Sequence, residues 1–264
     1  MILLILLVII LLLYVAACML YYFLQDKMLF KRKRFRQNFK YHYDFPFEEL
    51  FWKTKDGNSL NGLRFTVENP KGVILFLHGN SGHMGRSGSY FKRIKDLNYD
   101  VVMYDYRGYG KSTGTPTKAT FYSDAIQIFD WIKENYPELP IVIHGLSLGS
   151  HVATYVAAHR TVQLLIMETP FLSLARIAKI RYPILPGALL LKHKLNSADF
   201  LPEIACQIHV FHGDKDIIVP ITEAQLIPLY NGHVKMTVIK GGNHKNLNDF
   251  PQYQHTFEEL LEEI

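Results

Sequence analysis

At 264 residues the chain has room for one large or two small domains, and 48% hydrophobic against 20% charged residues excludes a disordered polyelectrolyte. Its formal net charge of +5 is no nucleic-acid footprint, because the excess sits in one short stretch near the N-terminus. The two cysteines, Cys18 and Cys206, give neither a disulfide framework nor metal-ligand spacing.

From Met1 to Gln25 no side chain is charged, and Ile, Leu, Val, Tyr and Phe dominate. As a helix this run is about 36 Å long, enough to cross a ~30 Å hydrocarbon core with some tilt. A core helix of a soluble protein would be shorter. A secretory signal would open on a positive n-region, yet no Lys or Arg precedes Asp26. Val15-Ala16-Ala17-Cys18 resembles a lipoprotein cleavage site, but Met19–Leu24 continues the apolar run where a mature lipoprotein turns polar. Residues 1–25 therefore read as a retained single-pass anchor.

Residues 26–44 follow as a basic juxtamembrane linker. Over residues 26–40, Lys27, Lys31, Arg32, Lys33, Arg34, Arg36 and Lys40 are offset only by Asp26, and removing this +6 from the +5 total leaves −1 for the rest of the chain. The positive-inside bias predicts a cytoplasmic strip and catalytic domain, with the N-terminus outside. Such a strip also attracts anionic headgroups, at about 1 kcal/mol per basic residue. A solvated linker is the plain alternative.

Residues 45–264 read as one domain. Phe47–Thr54 and Leu60–Val67, joined through Asp56-Gly57-Asn58, suit a hairpin. Strand-like runs then alternate with helical ones. Val73–Leu77 precedes a helix near Ser89–Leu97, Val101–Tyr104 one near Thr120–Asn135, and Ile141–His144 one that opens at Ser147. Val162–Met167, Ile208–Phe211 and Val234–Ile239 supply further strands, with helices near Ile221–Leu229 and Tyr253–Glu263. The alternation predicts an α/β fold whose mostly parallel sheet is covered by helices on both faces. Residues 170–203 exceed an ordinary crossover and read as a small cap, the alternative being a helix packed on the sheet edge.

Ser147 stands in Gly145-Leu-Ser147-Leu-Gly149, between an apolar strand and an Ala- and Val-rich helix. A serine on that strand-to-helix elbow is presented as a nucleophile, and small neighbours let the helix pack close. The chain carries its own control. Gly110-Lys-Ser112-Thr-Gly114 matches the same pattern but runs into Thr115-Pro116, a loop. It also fails as a phosphate loop, since position 105 is Asp. A serine hydroxyl needs a base, and the base a partner that holds its tautomer. On this architecture an acid and then a histidine should follow at later strand ends. His212-Gly-Asp214-Lys-Asp216 and Gly241-Gly-Asn-His244 occupy those places. Asp214 and Asp216 compete for the acid, with Asp216 favoured and Asp214 read as a turn former. The N–H of Leu148 and one from Leu77-His-Gly79-Asn80, with Asn80 as donor and Gly79 allowing close approach, would make an oxyanion hole.

Leu77-His-Gly-Asn, Tyr104-Asp-Tyr-Arg-Gly-Tyr-Gly-Lys-Ser, His144-Gly-Leu-Ser-Leu-Gly, His212-Gly-Asp-Lys-Asp-Ile-Ile-Val-Pro and Gly241-Gly-Asn-His, in this order, resemble the α/β-hydrolase superfamily. Within it the chain is similar to small membrane-anchored serine hydrolases with a minimal cap, relatives of the protein depalmitoylases. The resemblance implies the α/β-hydrolase fold from about Phe45 onward, the triad Ser147, Asp216 and His244, and the donors Asn80 and Leu148. It implies no metal or cofactor, and it does not fix the substrate.

The combined expectation is a single-pass membrane hydrolase of carboxylic esters or thioesters with acyl or lipid-type substrates, in contact with lipid through the helix and the basic strip. A serine peptidase is the alternative. The insert's Arg176, Lys179, Arg181, Lys192 and Lys194, with acids only at Asp199 and Glu203, suit anionic or acyl substrates better than a free amino terminus. A catalytically silent binding module is the reading from another class. Ile184, Leu185 and Leu189–Leu191 beside those cations suggest a cap that admits acyl chains from the membrane, so that replacing Leu189, Leu190 and Leu191 by Ser should weaken long-chain turnover selectively.

Overall fold

The computed structural model describes residues 1–84 and 94–264. Eight strands form one sheet: β1 (Phe47–Lys53), β2 (Ser59–Phe65), β3 (Gly72–Leu77), β4 (Tyr99–Tyr104), β5 (Ile141–Leu146), β6 (Leu164–Glu168), β7 (Gln207–Gly213) and β8 (Val234–Ile239). Their spatial order is β8-β7-β6-β5-β3-β4-β2-β1, parallel except where β2 runs against β1 and β4. The order reverses around β3, so the crevice above the carboxyl ends of β3 and β5 is the natural place for a site.

The central strands are apolar along their whole length because both faces are covered. Val73, Leu75 and Leu77 of β3 face one core and Ile74 and Phe76 the other, the period-two alternation of a strand. The first core holds α2 (Lys118–Asn135), through Phe121, Ala125, Ile128, Phe129 and Ile132, and α3 (Leu148–His159). Thr117 caps α2, its hydroxyl accepting from Thr120 N–H at 3.1 Å. Pro251–Glu262, at the C-terminal end, puts Tyr253, Phe257, Leu260 and Leu261 against the second core.

Four expectations need adjustment. The N-terminal helix, α1 (Ile2–Leu29), runs four residues past Gln25. The basic strip after it is no solvated linker: Lys31–Arg32 pairs in parallel with Ser81–Gly82, Phe30 and Tyr41 are buried, and Arg34 Nε donates to Gly108 O at 3.2 Å. The helix expected near Ser89–Leu97 lies mostly outside the described residues, and Lys95–Leu97 form a 3-10 turn. The expected helix at Ile221–Leu229 divides into Ile221–Ala224 and a 3-10 turn at Ile227–Leu229, where Pro228 lacks the N–H a continuous helix would use.

The insert between β6 and β7 contains α4 (Leu174–Arg181) and α5 (Gly187–Leu190), separated by Pro183 and Pro186. An antiparallel bridge from Ser173 to Asn196 closes its base. His151 of α3 fixes it from below, its Nε2 2.7 Å from the Tyr122 hydroxyl and its Nδ1 3.0 Å from the Ser197 hydroxyl. Burial pushes the His151 pKa down to about 3, so the ring is neutral when it makes these bonds.

Candidate active site

Ser147 sits between β5 and α3 with φ 53° and ψ −110°, a left-handed conformation that non-glycine residues seldom adopt. Its surroundings hold it there. Ser147 N–H donates to Glu168 O at 2.8 Å, and the Ser150 hydroxyl donates to Gly145 O at 2.6 Å. A Cβ on Gly145 would stand 2.5 Å from Gly149 O, and one on Gly149 would stand 2.0 Å from Leu77 O. Both glycines are there for space. Gly79 differs from its expected role, because a Cβ at that position would meet nothing nearer than 3.5 Å.

The three residues read as a triad form one hydrogen-bonded chain. His244 Nε2 is 3.1 Å from Ser147 Oγ, and His244 Nδ1 is 2.7 Å from Asp216 Oδ2. Asp216 Oδ1 accepts from the Ile218 and Val219 N–H groups at 2.8 and 2.9 Å. Burial alone would raise the Asp216 pKa, but the bonds from His244 and the two amides outweigh it and hold the carboxyl below its usual range. Asp216 is therefore an anion that orients the imidazole. Asp214 is engaged elsewhere, its Oδ1 accepting from Gly241 N–H at 2.7 Å in the turn that precedes His244.

Asn80 and Leu148 line the same cavity as Ser147 and His244. Leu148 is the first residue of α3, where a helix leaves its N–H without an internal acceptor. The Asn80 loop is tied down from outside: its carbonyl accepts from Lys31 N–H at 3.0 Å and from the Tyr109 hydroxyl at 3.0 Å, while Asn80 Nδ2 donates to Leu29 O, the last residue of α1, at 2.8 Å.

The control serine is buried in the scaffold. Ser112 Oγ donates to Asp105 O at 2.6 Å and accepts from Asn61 N–H at 2.8 Å, and Lys111 Nζ pairs with Glu49 Oε1 at 2.7 Å. In the same loop Arg107 makes two 2.8 Å bonds to Asp124 and also pairs with Asp56. Among the described residues no cluster of three His, Cys, Asp or Glu side chains is placed to hold a metal ion.

The cavity has a volume of about 850 Å³, within the range of small-ligand sites. One wall is the insert, with Phe171, Leu174, Ile177, Ala178, Tyr182 and Leu191. Sequence reasoning missed the adjoining wall: Tyr21, Gln25, Met28 and Leu29, all from α1. Tyr21, Gln25 and Met28 share one helical face, but a helix so nearly uniform in its apolar side chains hides which face packs. Glu168 was also missed. It is the single acidic side chain among the described residues lining the cavity, and its Oε2 accepts from the Tyr253 hydroxyl at 2.7 Å and lies 3.2 Å from His144 Nε2.

Several insert residues differ from expectation. Arg176 pairs with Glu223 at 2.7 Å and Lys192 with Asp26 at 3.2 Å, so neither is a free cation. Of the three leucines read as an interface, Leu191 is buried and Leu190 half-buried, while Leu189 is 82% exposed, as is Ile184.

The family described as serine aminopeptidase S33 matches residues 68–198. The lysophosphatidylserine lipase ABHD12 of Xenopus tropicalis is 30% identical over 191 residues, 65% of this chain and 50% of that protein. The lysophosphatidylserine lipase ABHD12 of Danio rerio is 28% identical over 241 residues, 80% of this chain and 63% of that protein. The chain thus spans about half to two thirds of the length of these relatives. Among solved structures, the Pyrococcus furiosus esterase Pf2001 superposes with a TM-score of 0.73 at 20% identity, covering 89% of this chain and 98% of that one. An esterase from Exiguobacterium antarcticum gives 0.63 at 18% identity, covering 80% and 98%.

Proposed function

We propose that this member of the α/β-hydrolase superfamily is a membrane-anchored serine hydrolase of acyl esters or thioesters. The observation that carries the reading is the unbroken Asp216–His244–Ser147 chain of 2.7 and 3.1 Å beside a largely apolar cavity. In this mechanism His244 Nε2 takes the Ser147 proton as Oγ attacks the acyl carbonyl, whose displaced electron pair moves onto oxygen. The Asn80 and Leu148 N–H groups stabilise that oxyanion, a role in which one donor is worth about 2.7–4 kcal/mol. Collapse expels the alcohol or thiol, protonated by His244, and leaves an acyl-serine. Water, activated by the same imidazole, then releases the carboxylic acid and restores Ser147.

Substrate class follows from the walls. The apolar side chains of α1 and the insert suit a hydrocarbon chain, while Lys31, Arg181, Lys245 and Asn248 also line the cavity and suit an anionic head. An anionic single-chain lipid matches both ends, in keeping with relatives named lysophosphatidylserine lipases. The helix Ile2–Leu29 is long and apolar enough to cross a membrane, and the basic residues after it favour a cytoplasmic catalytic domain. Digestion of that domain by protease added outside intact cells would reverse this orientation.

The family description makes an aminopeptidase the second reading. An aminopeptidase needs a carboxylate for the substrate's ammonium, and Glu168 already accepts from Tyr253 and lies against His144. The deciding experiment sets lysophospholipids, p-nitrophenyl esters, acyl thioesters and aminoacyl p-nitroanilides against the full chain in nanodiscs, with fluorophosphonate labelling of Ser147. The thioester arm tests the likeness to depalmitoylases. Turnover of the anilides alone, or no labelling of Ser147, would overturn the proposal.

A further inference from the structure

Much of the contact between the anchor and the insert falls along one stripe. Tyr14, Ala17, Tyr21, Gln25 and Met28 follow one another at intervals of three or four residues, so they share a face of α1. Each lines a cavity. Residues on other faces, such as Leu13, Met19, Leu20 and Phe23, are more than half exposed.

Specific contacts hold the stripe in register. Gln25 is buried, its Nε2 donating to Leu190 O at 2.9 Å and its Oε1 accepting from Lys192 N–H at 2.8 Å. Asp26 Oδ1 is 2.9 Å from His193 Nε2. One turn earlier the Tyr21 ring meets Tyr182 edge-on at 5.2 Å. Further into the helix the Tyr14 hydroxyl donates to Ile184 O at 3.4 Å.

Two cavities lie along this seam. The first is the site described above. The second, about 370 Å³, is a crevice between Tyr14 and Ala17 of α1 and residues 181–185 of the insert. Arg181 and Tyr182 line both, so the crevice adjoins the catalytic cavity. Ala17 stands nine residues before Asp26, the first charged side chain, which puts the crevice about 14 Å along the helix from that charge, within the stretch long and apolar enough to cross a membrane. Ile184, which lines the crevice, and Leu189 of the same insert are both exposed, and in a bilayer such side chains meet acyl chains instead of water.

From this geometry we infer that α1 is part of the substrate site: the acyl chain enters sideways from the bilayer between α1 and the insert, and its distal carbons rest in the crevice by Tyr14 and Ala17. The inference rests on the hydrolase reading but fails separately from it. It assigns acyl-length selectivity to the membrane helix and predicts that the head group stays in the cavity beside Ser147 and Lys31.

Two measurements test it in nanodiscs. In the first, a palmityl-length fluorophosphonate with a diazirine at the chain end is reacted with the full chain and irradiated, and cross-links are mapped by mass spectrometry. Capture at residues 14–21 or 180–185 is expected, and capture confined to the β-sheet side of the cavity, or to bulk lipid, would overturn the inference. In the second, Ala17→Trp fills the crevice while Met19→Trp places the same bulk on a lipid-facing turn. Displacing two methylenes from an apolar site costs about tenfold in affinity, so Ala17→Trp should lower the ratio of palmitoyl- to acetyl-ester kcat/KM by about that factor or more. Met19→Trp should leave the ratio alone. Equal ratios for both variants would overturn the inference even with Ser147 fully labelled, whereas loss of labelling in the unmodified chain would strike the hydrolase reading itself.

Discussion

The elbow at Ser147 and the seam between α1 and the insert border one cavity but are built on opposite plans. The elbow is a five-residue pattern held by backbone groups, Ser147 N–H bonding to Glu168 O, and by two glycines whose added methyls would collide with the backbone at 2.5 and 2.0 Å. The seam joins residues some 160 positions apart through side chains, with Gln25 and Asp26 of α1 meeting Leu190, Lys192 and His193. A rigid local turn can position a reacting atom to within a fraction of an ångström. A side-chain seam can be repacked without disturbing that atom, and so can tune which chains reach it.

The sharpest way to break the contrast is at its centre. Ser147→Ala should lower ester kcat/KM by about 10⁴-fold or more, whereas Ser112→Ala, which loses two scaffold hydrogen bonds, should keep most activity and melt earlier. Steady-state kinetics beside thermal melts decides it, and an inactive but stable Ser112→Ala protein would invert the assignment. Next in size, Gly149→Ala should destabilise the domain by about 3 kcal/mol through the clash with Leu77 O, while Gly79→Ala should cost under about 1 kcal/mol. Denaturant midpoints in detergent separate the two.

On the seam, Gln25→Leu leaves Leu190 O and Lys192 N–H without partners, a loss of about 1–3 kcal/mol confined to the clasp. The expected readout is faster proteolysis at residues 186–194 with the global melt little changed. A matching drop in global stability would mean that seam and elbow unfold together. Replacing Ile184 and Leu189 with Ser should lower the ratio of long- to short-chain turnover, whereas Leu191→Ser, at a buried residue that also lines the cavity, should lower both together.

The smallest effect concerns pH. Asp105 accepts from Met84 N–H at 2.6 Å beneath the Asn80 loop, and burial pushes its pKa up to about 7. The folded state therefore holds a proton that the unfolded chain releases near pH 4, so stability should fall as pH rises from about 4 to 7. Asp105→Asn should flatten that slope in urea melts taken between pH 5 and 8.

How much of this was legible follows from the same contrast. The turn at Ser147, the placement of Asp216 and His244 after later strands and the loop around Ser112 were readable because each is a short pattern with a backbone cause. The hairpin, the stripe of α2 and the ends of β3 to β8 fell within about two residues of expectation for that reason. The cavity wall from α1 was not readable, since Tyr14, Tyr21 and Met28 look like any other residue in an apolar run and their partners lie in the insert. Leu189, Leu190 and Leu191 were read as one surface because a three-residue run gives no period. The turn at Leu191 that buries it depends on Pro186 and on the Gln25 clasp, which no local pattern announces.

Asn80 Nδ2 bonds to the carbonyl that ends α1, and Lys31, two residues on, donates back to Asn80 O. A protein chemist seeking a soluble preparation would delete the first thirty residues, as is routine for single-span enzymes. Here that cut would strip the Asn80 loop of one of its ties and remove a wall of the cavity in the same stroke. Phe121 and His193, which pack on Phe30, would be left facing water. A truncated preparation would thus report the reactivity of an open, loosened pocket, and inhibitors selected on it would be ranked against a shape that the intact chain never presents.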